Sequence, residues 1–341
     1  MKLLLVSFFI ILLTGCSSKK EITNFKITSF DKIDGFYEDN LTYAFEVFKK
    51  NCEKSKRFDY LKNVCAKSEA QTNAYKFFTE NFTPYLIIDD KGNSIGETTG
   101  YYEPVLNGSL TKNHKYKYPI YEMPKSKDIG TRAQINSQND FKAICYVSNE
   151  TDLYLLHLQG SGKIKIDENN TLNLVYAGNN GKKYNSVGKY MIKKDYIKSY
   201  KATIQGMKKF LDENPKKVSE ILNQNERYVF FKVIGKKPVG SLGVELTPKR
   251  SIAVDTNYIK LGLPVFLHTK NPISNKDIKK IVIANDRGVD IKGKVRADYF
   301  WGSGSEALKY AGRMKEKSRL IVLMPKWVLF NHNTHFHSSY L

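Results

Sequence analysis

Hydrophobic residues follow two different spacings along this chain. Over residues 41–52 and 69–82 they recur every three or four positions, as on the buried face of an amphipathic helix, and residues 195–213 repeat that spacing. From Tyr228 onward, short apolar runs alternate with glycine-containing turns, which is typical of β-strands. We therefore predict a mainly β chain with peripheral helices. The predicted C-terminal strands are YVFFKVI, SIAVD, PVFLHT, KIVIAN and RLIVLMP.

A segment in the middle of the chain, residues 153–166, reads LYLLHLQGSGKIKI. Its glycines predict a hairpin that joins two alternating strands around Gln159 and Ser161. A turn alone accounts for the glycines, whereas a functional interpretation makes Gln159 and Ser161 a polar edge that faces a ligand.

Another unusual segment, residues 97–109, carries Thr99, Tyr101 and Tyr102 just ahead of a proline. Paired tyrosines can line a sugar-binding groove, because their rings stack on pyranose faces and their hydroxyls meet sugar hydroxyls. Half-buried tyrosines are also common in strands, so this pattern alone does not decide between the two interpretations.

The start of the chain, MKLLLVSFFIILLTGC, has an apolar run from Leu3 to Leu13. The run is too short to span a bilayer and suits a secretory signal. Its Leu-Thr-Gly-Cys ending fits a bacterial lipoprotein cleavage box, which predicts a signal peptide over residues 1–15 and a lipidated Cys16. An ordinary signal peptide with an incidental cysteine is the alternative. Residues 16–35 are polar and without periodicity, and we predict a tether there.

Composition indicates a large globular protein, with 341 residues, 41% hydrophobic and 13% aromatic residues. This length predicts about two domains. The formal charge of +21 on an exported chain favours an anionic cell wall or membrane surface over nucleic acid. Solubility is an equally good reason for a lysine-rich surface.

Three cysteines follow Cys16. Cys52 and Cys65 can close a disulfide loop between two helical stretches in an oxidising compartment, and Cys145 is then left over in a buried strand. The alternative is two independently buried thiols. A metal site is not expected, because no histidines accompany the cysteines at ligand spacing. The C-terminal histidines, in a terminus without a fold to hold them, do not predict one either; they are His332, His335 and His337.

A glycine-rich turn at residues 302–307, GSGSEA, matches the fingerprint of dinucleotide-binding folds. That fold also needs parallel strand–helix repeats and an acidic residue about 20 positions further on. The chain lacks that acidic residue, so we predict no nucleotide and no other cofactor.

A set of segments in a fixed order resembles the membrane-bound lytic murein transglycosylase A family. They cover about two thirds of the chain, and the C-terminal part is similar to the three-aspartate domain, whose acids fall on Asp255, Asp286 and Asp298. The segments are TTGYYEPV, YPIYEMP, LHLQGSGKI, YAGNNGKKYNSVGK, NERYVFFK, SIAVD and DIKGKVRADYFWGSGSEALKYAGRM.

The resemblance implies a double-psi β-barrel domain, with a second β-domain inserted into it and a groove between the two. The barrel then takes residues 36–104 and 235–341 and carries catalysis, and the insert takes residues 105–234 and binds glycan. The implied reaction cleaves the β-1,4 bond between N-acetylmuramic acid and N-acetylglucosamine without water and leaves a 1,6-anhydro end.

The family's catalytic acid falls on Asp298, and Asp286 supports it. Around Asp286 the family pattern is usually D-T-G-G/S-A-I-K-G, from which Arg287, Val289 and Asp290 depart. One of these departures, Asp290, adds a second acid close to Asp286. The candidate glycan-binding residues are Thr99, Tyr101, Tyr102, Gln159, Ser161, Asn180, Lys292 and Arg296.

One carboxyl suffices for this chemistry, because the substrate's own C6 hydroxyl replaces water as the nucleophile. In an extended strand Arg296, Asp298 and Phe300 point to the same face. Arg296 would lower the pKa of Asp298, whereas burial against Phe300 or Trp301 would raise it, and the sequence leaves that conflict open.

Two alternatives remain: a peptidoglycan hydrolase on the same fold, and a wall-binding lipoprotein without catalysis. The predicted partners are glycan strands, the membrane through the lipid anchor, and proteins of cell-wall synthesis or division. Ser17 after Cys16 favours the outer membrane, with the protein facing the periplasm.

Overall fold

The computed structural model describes residues 24–126, 128–138, 140–235 and 239–327. The predicted signal peptide, Cys16 and the C-terminal histidines lie outside these residues. Within them, no helix has both the length and the apolar character needed to cross a membrane.

The described chain is mainly β, with fourteen strands and nine α-helices in the described residues. The strands are β1 (Phe25–Ile27), β2 (Phe82–Ile87), β3 (Gly96–Glu103), β4 (Val105–Ser109), β5 (Tyr118–Tyr121), β6 (Ala143–Val147), β7 (Ser161–Lys165), β8 (Thr171–Asn179), β9 (Val229–Ile234), β10 (Ser251–Val254), β11 (Pro264–Lys270), β12 (Asp277–Asp286), β13 (Arg296–Ser303) and β14 (Lys315–Pro325). The α-helices are α1 (Leu41–Ser55), α2 (Asp59–Ala70), α3 (Ala74–Asn81), α4 (Arg132–Ser137), α5 (Glu150–Gln159), α6 (Val187–Lys193), α7 (Ile204–Glu213), α8 (Val218–Leu222) and α9 (Gly304–Ala311). Short 3₁₀ turns lie at Phe30–Lys32, Phe36–Glu38, Ser199–Lys201 and Pro215–Lys217.

Six strands close into a barrel in the order β14, β11, β12, β10, β13 and β3, with β3 pairing back to β14. The β10–β12 and β13–β3 pairs are parallel, and the other pairs are antiparallel. Closure removes the exposed sheet edges that would invite aggregation. The predicted β-barrel fold is confirmed.

A second sheet has the order β5, β6, β4, β7, β8 and β9. Its strands all come from residues 105–234, between two barrel strands in the sequence. The chain passes from the barrel into this sheet through Pro104, between β3 and β4.

The N-terminal helices cover one side of the barrel with a phenylalanine-rich core. Phe48 and Phe77 are fully buried with ring centroids 5.3 Å apart, and both pack near Phe82 at the start of β2. Asn40 and Asn73 begin α1 and α3 by accepting backbone N–H bonds, which satisfies donors that the first helical turn leaves free.

The disulfide predicted between Cys52 and Cys65 is present and joins α1 to α2. Cys145 is buried in β6 as a free thiol, and burial raises its pKa to about 12.

Two helix predictions were too long. Residues 69–82 were expected to form one helix, but Gln71 takes an extended conformation and Asn73 caps a new helix, so α2 and α3 are separate. Residues 195–213 contain only α7 as an α-helix, because the Thr203 side chain accepts the backbone N–H of Gly206 and begins the helix there.

The hairpin predicted around Gln159 and Ser161 is wrong on its first arm, where the chain forms helix α5. Asn149 caps this helix, and Gly160 ends it in a left-handed conformation with φ 72°. Its apolar residues lie on all sides because Leu156 belongs to the core under the second sheet and Leu155 to a separate helical core. A helix buried on all sides has no amphipathic spacing to reveal it.

The predicted tether over residues 16–35 is also too long. Phe25–Ile27 form β1, which pairs antiparallel with β2, so this part of the segment belongs to the folded protein.

Candidate active site

A cavity of about 840 Å³ lies between the barrel and the second sheet. Its barrel side includes Tyr101, Ala253, Asp286, Asp298 and Phe300. Its opposite side includes Arg132, His157, Gln159, Ser161 and Arg227.

Strand register brings two of the three name-giving aspartates to this cavity. Ala253 of β10 pairs with Asp286 of β12 on one side and with Asp298 of β13 on the other. Paired residues on neighbouring strands point to the same face of a sheet. The two carboxylates therefore share one wall of the cavity although 12 positions separate them in the sequence.

Asp298 is half-buried and receives a hydrogen bond of 2.7 Å from the Thr99 hydroxyl. Burial raises the pKa of the Asp298 carboxyl to about 6, and the Asp286 charge adds a smaller rise. The Thr99 hydrogen bond and the Arg296 charge act in the opposite direction but do not cancel the effect of burial. A carboxyl with this pKa can hold a proton near neutral pH and can also release it.

Arg296 contacts Thr99 and β3 instead of pairing directly with Asp298. Its Nη2 donates to the Thr99 hydroxyl oxygen over 2.8 Å, and its Nε lies 4.0 Å from the Glu97 carboxylate. Arg296 lowers the pKa of Asp298 only through its charge, because its side chain is hydrogen-bonded to Thr99. Burial therefore has the larger effect on this pKa.

Asp286 is held by the loop before β10. Its Oδ1 accepts hydrogen bonds from the Ser241 N–H and hydroxyl, at 2.9 and 2.7 Å, and from the Arg287 N–H. Asp290, in the loop that follows β12, lines the cavity and helps to raise the pKa of Tyr184, after the larger effect of burial. The loop thus reaches a residue that precedes α6 on the other side of the cavity.

The third name-giving acid, Asp255, is buried outside the lining of this cavity. Its carboxylate accepts the Gly293 N–H at 2.9 Å and the Asn257 N–H at 3.1 Å. Gly293 has φ 108°, a conformation that favours glycine. Asp255 therefore organises the loop that leads into β13.

Tyr101 points its hydroxyl into the interior without a hydrogen-bond partner among the described residues. Burial raises the pKa of Tyr101 well above its ordinary value, and the Asp286 and Asp298 charges add to the rise. The hydroxyl therefore stays protonated and lies close enough to both carboxylates to feel their charge. Its ring packs against Phe300, with centroids 5.1 Å apart.

Gln159 and Ser161 both line the cavity, at the junction of α5 and β7. The Gln159 Oε1 accepts the Tyr102 N–H at 3.3 Å, which connects α5 to a barrel strand. Nearby, the Glu103 carboxylate pairs with Lys163 at 2.7 Å and accepts the Ser303 hydroxyl at 2.6 Å. Contacts between the two sheets thus form one end of the cavity.

Four predicted glycan-binding residues do not line the cavity: Thr99, Asn180, Lys292 and Arg296. Asn180 is buried, its Nδ2 donates to two backbone carbonyls, and its Oδ1 accepts the Tyr228 N–H. This placement contradicts a direct contact between Asn180 and glycan, because its polar atoms already bind the backbone. Thr99 and Arg296 lower the pKa of Asp298. Lys292 is exposed to solvent outside the cavity lining.

Sequence reasoning missed Ser241, which holds Asp286, and the cavity residues Arg132, His157 and Arg227. His157 and Arg227 stand in two of the segments that carry the family resemblance, LHLQGSGKI and NERYVFFK, but nothing in those segments marks either side chain as part of a cavity. Ser241 and Arg132 stand outside these segments and contribute through contacts with residues distant in the sequence. Across the described part of the chain, no group of three or more His, Cys, Asp or Glu side chains gathers as a metal site.

Comparison with family models identifies two regions. Residues 97–130 and 125–232 match the MltA specific insert domain, and residues 250–324 match the 3D domain. The two matches cover the second sheet and most of the barrel, including Asp286 and Asp298.

Curated relatives from Vibrio cholerae and Escherichia coli carry the name membrane-bound lytic murein transglycosylase A. The Vibrio cholerae protein is 31% identical over 246 residues, which are 68% of this chain and 66% of the relative. The Escherichia coli protein is 31% identical over 246 residues, which are 69% of this chain and 67% of the relative. The matches thus span about two thirds of the length of these relatives.

A solved structure, MltA from Neisseria gonorrhoeae, superimposes with a TM-score of 0.80 at 28% identity. The superposition covers 89% of this chain and 93% of that one.

Proposed function

Because this chain belongs to the membrane-bound lytic murein transglycosylase A family, we propose that it cleaves peptidoglycan as a lytic transglycosylase. The bond is the β-1,4 linkage between N-acetylmuramic acid and N-acetylglucosamine, and the product carries a 1,6-anhydro end. The observation that carries the proposal is Asp298, a half-buried carboxyl with a pKa raised to about 6 on the wall of the cavity.

Asp298 acts as the single general acid and base. Its carboxyl gives a proton to the glycosidic oxygen as the bond to C1 breaks. The C6 hydroxyl of the same muramic acid then attacks C1, and the Asp298 carboxylate takes the hydroxyl proton. Atoms balance without water, and an intramolecular nucleophile has a high effective concentration.

Asp286 supports this cycle from the neighbouring strand. Its negative charge favours the protonated form of Asp298 and can stabilise positive charge that develops at C1. The Tyr101 hydroxyl, which is buried and has no hydrogen-bond partner among the described residues, is a donor for a substrate oxygen. Gln159, Ser161 and Tyr102 form the part of the groove that binds the glycan.

The relatives are membrane-bound by name, and this chain is accordingly associated with the cell envelope. Lipidation at Cys16 anchors it in the outer membrane, where the groove faces the periplasm and its wall. Proteins of cell-wall synthesis or division are natural partners at that site.

The test is digestion of purified murein, followed by mass spectrometry of the products. The proposal expects anhydro ends; reducing ends would indicate a hydrolase, and an untouched polymer would indicate a binding protein. Asp298→Asn keeps the shape of the side chain but cannot deliver the proton, so turnover should fall by about 10²–10⁴-fold.

Asp286→Asn and Asp290→Asn are matched controls for the loss of one negative charge. Asp286→Asn should cost less than Asp298→Asn, and Asp290→Asn should cost little. All variants are checked by thermal melts. If Asp298→Asn keeps near-normal turnover while either control is inactive, the acid has been assigned to the wrong aspartate.

A further inference from the structure

Arg132 is a buried cation on the wall of the cavity opposite Asp298. The residue is 3% exposed. Its Nε donates to the Asn225 carbonyl at 2.9 Å, its Nη2 donates to the Arg227 carbonyl, and its Nη1 lies 2.9 Å from His157 Nδ1. The guanidinium also lies over the rings of Tyr154 and Tyr228, at 5.0 and 5.1 Å.

Among the residues that the structure describes, no carboxylate pairs with Arg132 to balance its charge. In the described ranges of the chain, no Asp or Glu oxygen lies within 4.0 Å of this guanidinium. The charge of Glu150 raises the pKa of Arg132 from beyond this distance, while the Glu150 carboxylate accepts the Ser219 hydroxyl at 2.7 Å. Removing a cation from water without a counter-ion costs several kcal/mol in proteins. Backbone carbonyls and aromatic faces offset part of this cost but leave the net charge.

His157 adds a hydrogen-bond donor beside Arg132. Since the arginine can only donate, His157 Nδ1 must accept, and the proton of the neutral ring is then on Nε2. His157 is 5% exposed, and its Nε2 has no hydrogen-bond partner within the described residues. Burial and the neighbouring Arg132 hold the pKa of His157 well below its ordinary value, so the ring stays neutral.

Arg227 brings a second cation to the same wall. It is half-buried, its Nε donates to the Lys182 carbonyl at 3.0 Å, and its own carbonyl accepts from Arg132. Over the part of the chain that the structure covers, no carboxylate lies within ion-pair distance of Arg227. Arg132, His157 and Arg227, here named the arginine cluster, all line the cavity.

We propose that the arginine cluster is a binding site for a carboxylate, supplied by the peptide stem attached to the muramic acid of the bound strand. Neutral sugar hydroxyls would leave the two guanidinium groups without a counter-charge. A carboxylate accepts planar paired hydrogen bonds from a guanidinium, and it can also accept the free Nε2–H of His157. The inference rests on the proposed function only in taking peptidoglycan as the ligand of the groove.

The cluster gives the groove a preference between two forms of one polymer. Strands that keep their peptide stems present the carboxylate, whereas strands stripped by an amidase present the same sugars without it. A hydrogen bond to a charged group contributes about 1.5–3 kcal/mol. This corresponds to about 10–150-fold tighter binding of the intact strands.

The test measures the Kd of soluble intact and peptide-free strands in the Asp298→Asn background, where cleavage does not interfere. The readout is the ratio of the two Kd values. Arg227→Gln should reduce the preference for intact strands by about tenfold, and Arg227→Lys, which keeps the charge, should restore most of it. Arg319→Gln, a change of one exposed arginine outside the cavity, is the matched control and should leave the ratio unchanged.

A purely structural role for Arg227 would weaken binding of both strands equally and leave the ratio unchanged, and this result would overturn the proposal. Equal affinity of the parent for the two strands would overturn it too. In parallel, the formation of anhydro products is measured with the protein that retains Asp298. Their absence would count against the proposed function, whereas the Kd ratio reports on the arginine cluster separately.

Discussion

Burial and the neighbouring Asp286 carboxylate raise the pKa of Asp298, whereas the Thr99 hydrogen bond and the Arg296 charge lower it. The balance leaves a pKa of about 6, high enough for an acid and low enough for a base in the same cycle. Thr99 is central to this balance because its hydroxyl donates to Asp298 and accepts from Arg296.

The residue-scale prediction concerns pH. In the proposed cycle, protonated Asp298 starts the reaction, so turnover should decline as pH rises through about 6. Thr99→Val removes a hydrogen bond that stabilises the carboxylate, so the pKa should rise and the decline should move to higher pH. Turnover measured against pH for both proteins checks this.

Thr98→Val is the matched control, because the Thr98 hydroxyl donates to Ser318 rather than to Asp298. Its pH profile should keep the parental midpoint. A midpoint for Thr99→Val that is unchanged or lower would contradict the assignment of the pKa to Asp298.

At the scale of elements, a few buried contacts attach the N-terminal helices to the barrel. Arg250, just before β10, binds both Asp39 carboxylate oxygens, at 2.8 and 2.7 Å, and Asp39 also accepts the Ile281 N–H of β12. The disulfide between Cys52 and Cys65 then holds α1 to α2. The helical layer is thereby fixed to the two strands that carry Ala253 and Asp286.

The element-scale prediction concerns that disulfide. Its cysteines are separated by 13 positions, and closing a loop of that size stabilises a protein by about 3 kcal/mol. Replacing Cys52 and Cys65 together with serine should lower the free energy of unfolding by about that amount. Urea unfolding of both proteins measures the difference.

A reductant supplies the control. It should destabilise the parent to the level of the double variant and leave the double variant itself unchanged. Equal stability of oxidised parent and double variant would show that the disulfide contributes nothing.

At the scale of the whole molecule, the proposed reaction uses residues from both sheets. The barrel contributes both acids, and the second sheet with its helices contributes Gln159, Ser161 and the arginine cluster. The Gln205 side chain of α7 also donates to the Leu308 carbonyl of α9 at 2.6 Å, which is a further contact between the two parts.

The molecular-scale prediction concerns the anchor. Cys16→Ala removes the thiol that would carry lipid, so the precursor should remain uncleaved or reach the wrong compartment. Membrane fractionation and the mass of the N-terminal peptide measure the outcome. Ser17→Ala is the control for a change beside the cleavage site and should still be lipidated; normal processing of Cys16→Ala would exclude the lipoprotein prediction.

Sequence alone determined the features that depend on nearby residues or on ordered motifs. The strands from Tyr228 onward, the β-barrel fold and the pairing of Cys52 with Cys65 all followed from spacing, composition or resemblance. Helix α5 did not, because a helix buried on all sides has no polar face to set its period.

Only the tertiary structure decided which charges meet. Arg132 and His157 are 25 positions apart, and Arg132 and Arg227 are 95 apart, so no local pattern could join them. The balance of burial and charge at Asp298 likewise depends on Thr99, 199 positions away. The pKa of a buried group and the composition of a binding site both depend on residues that are close in space, and only the folded structure brings those residues together.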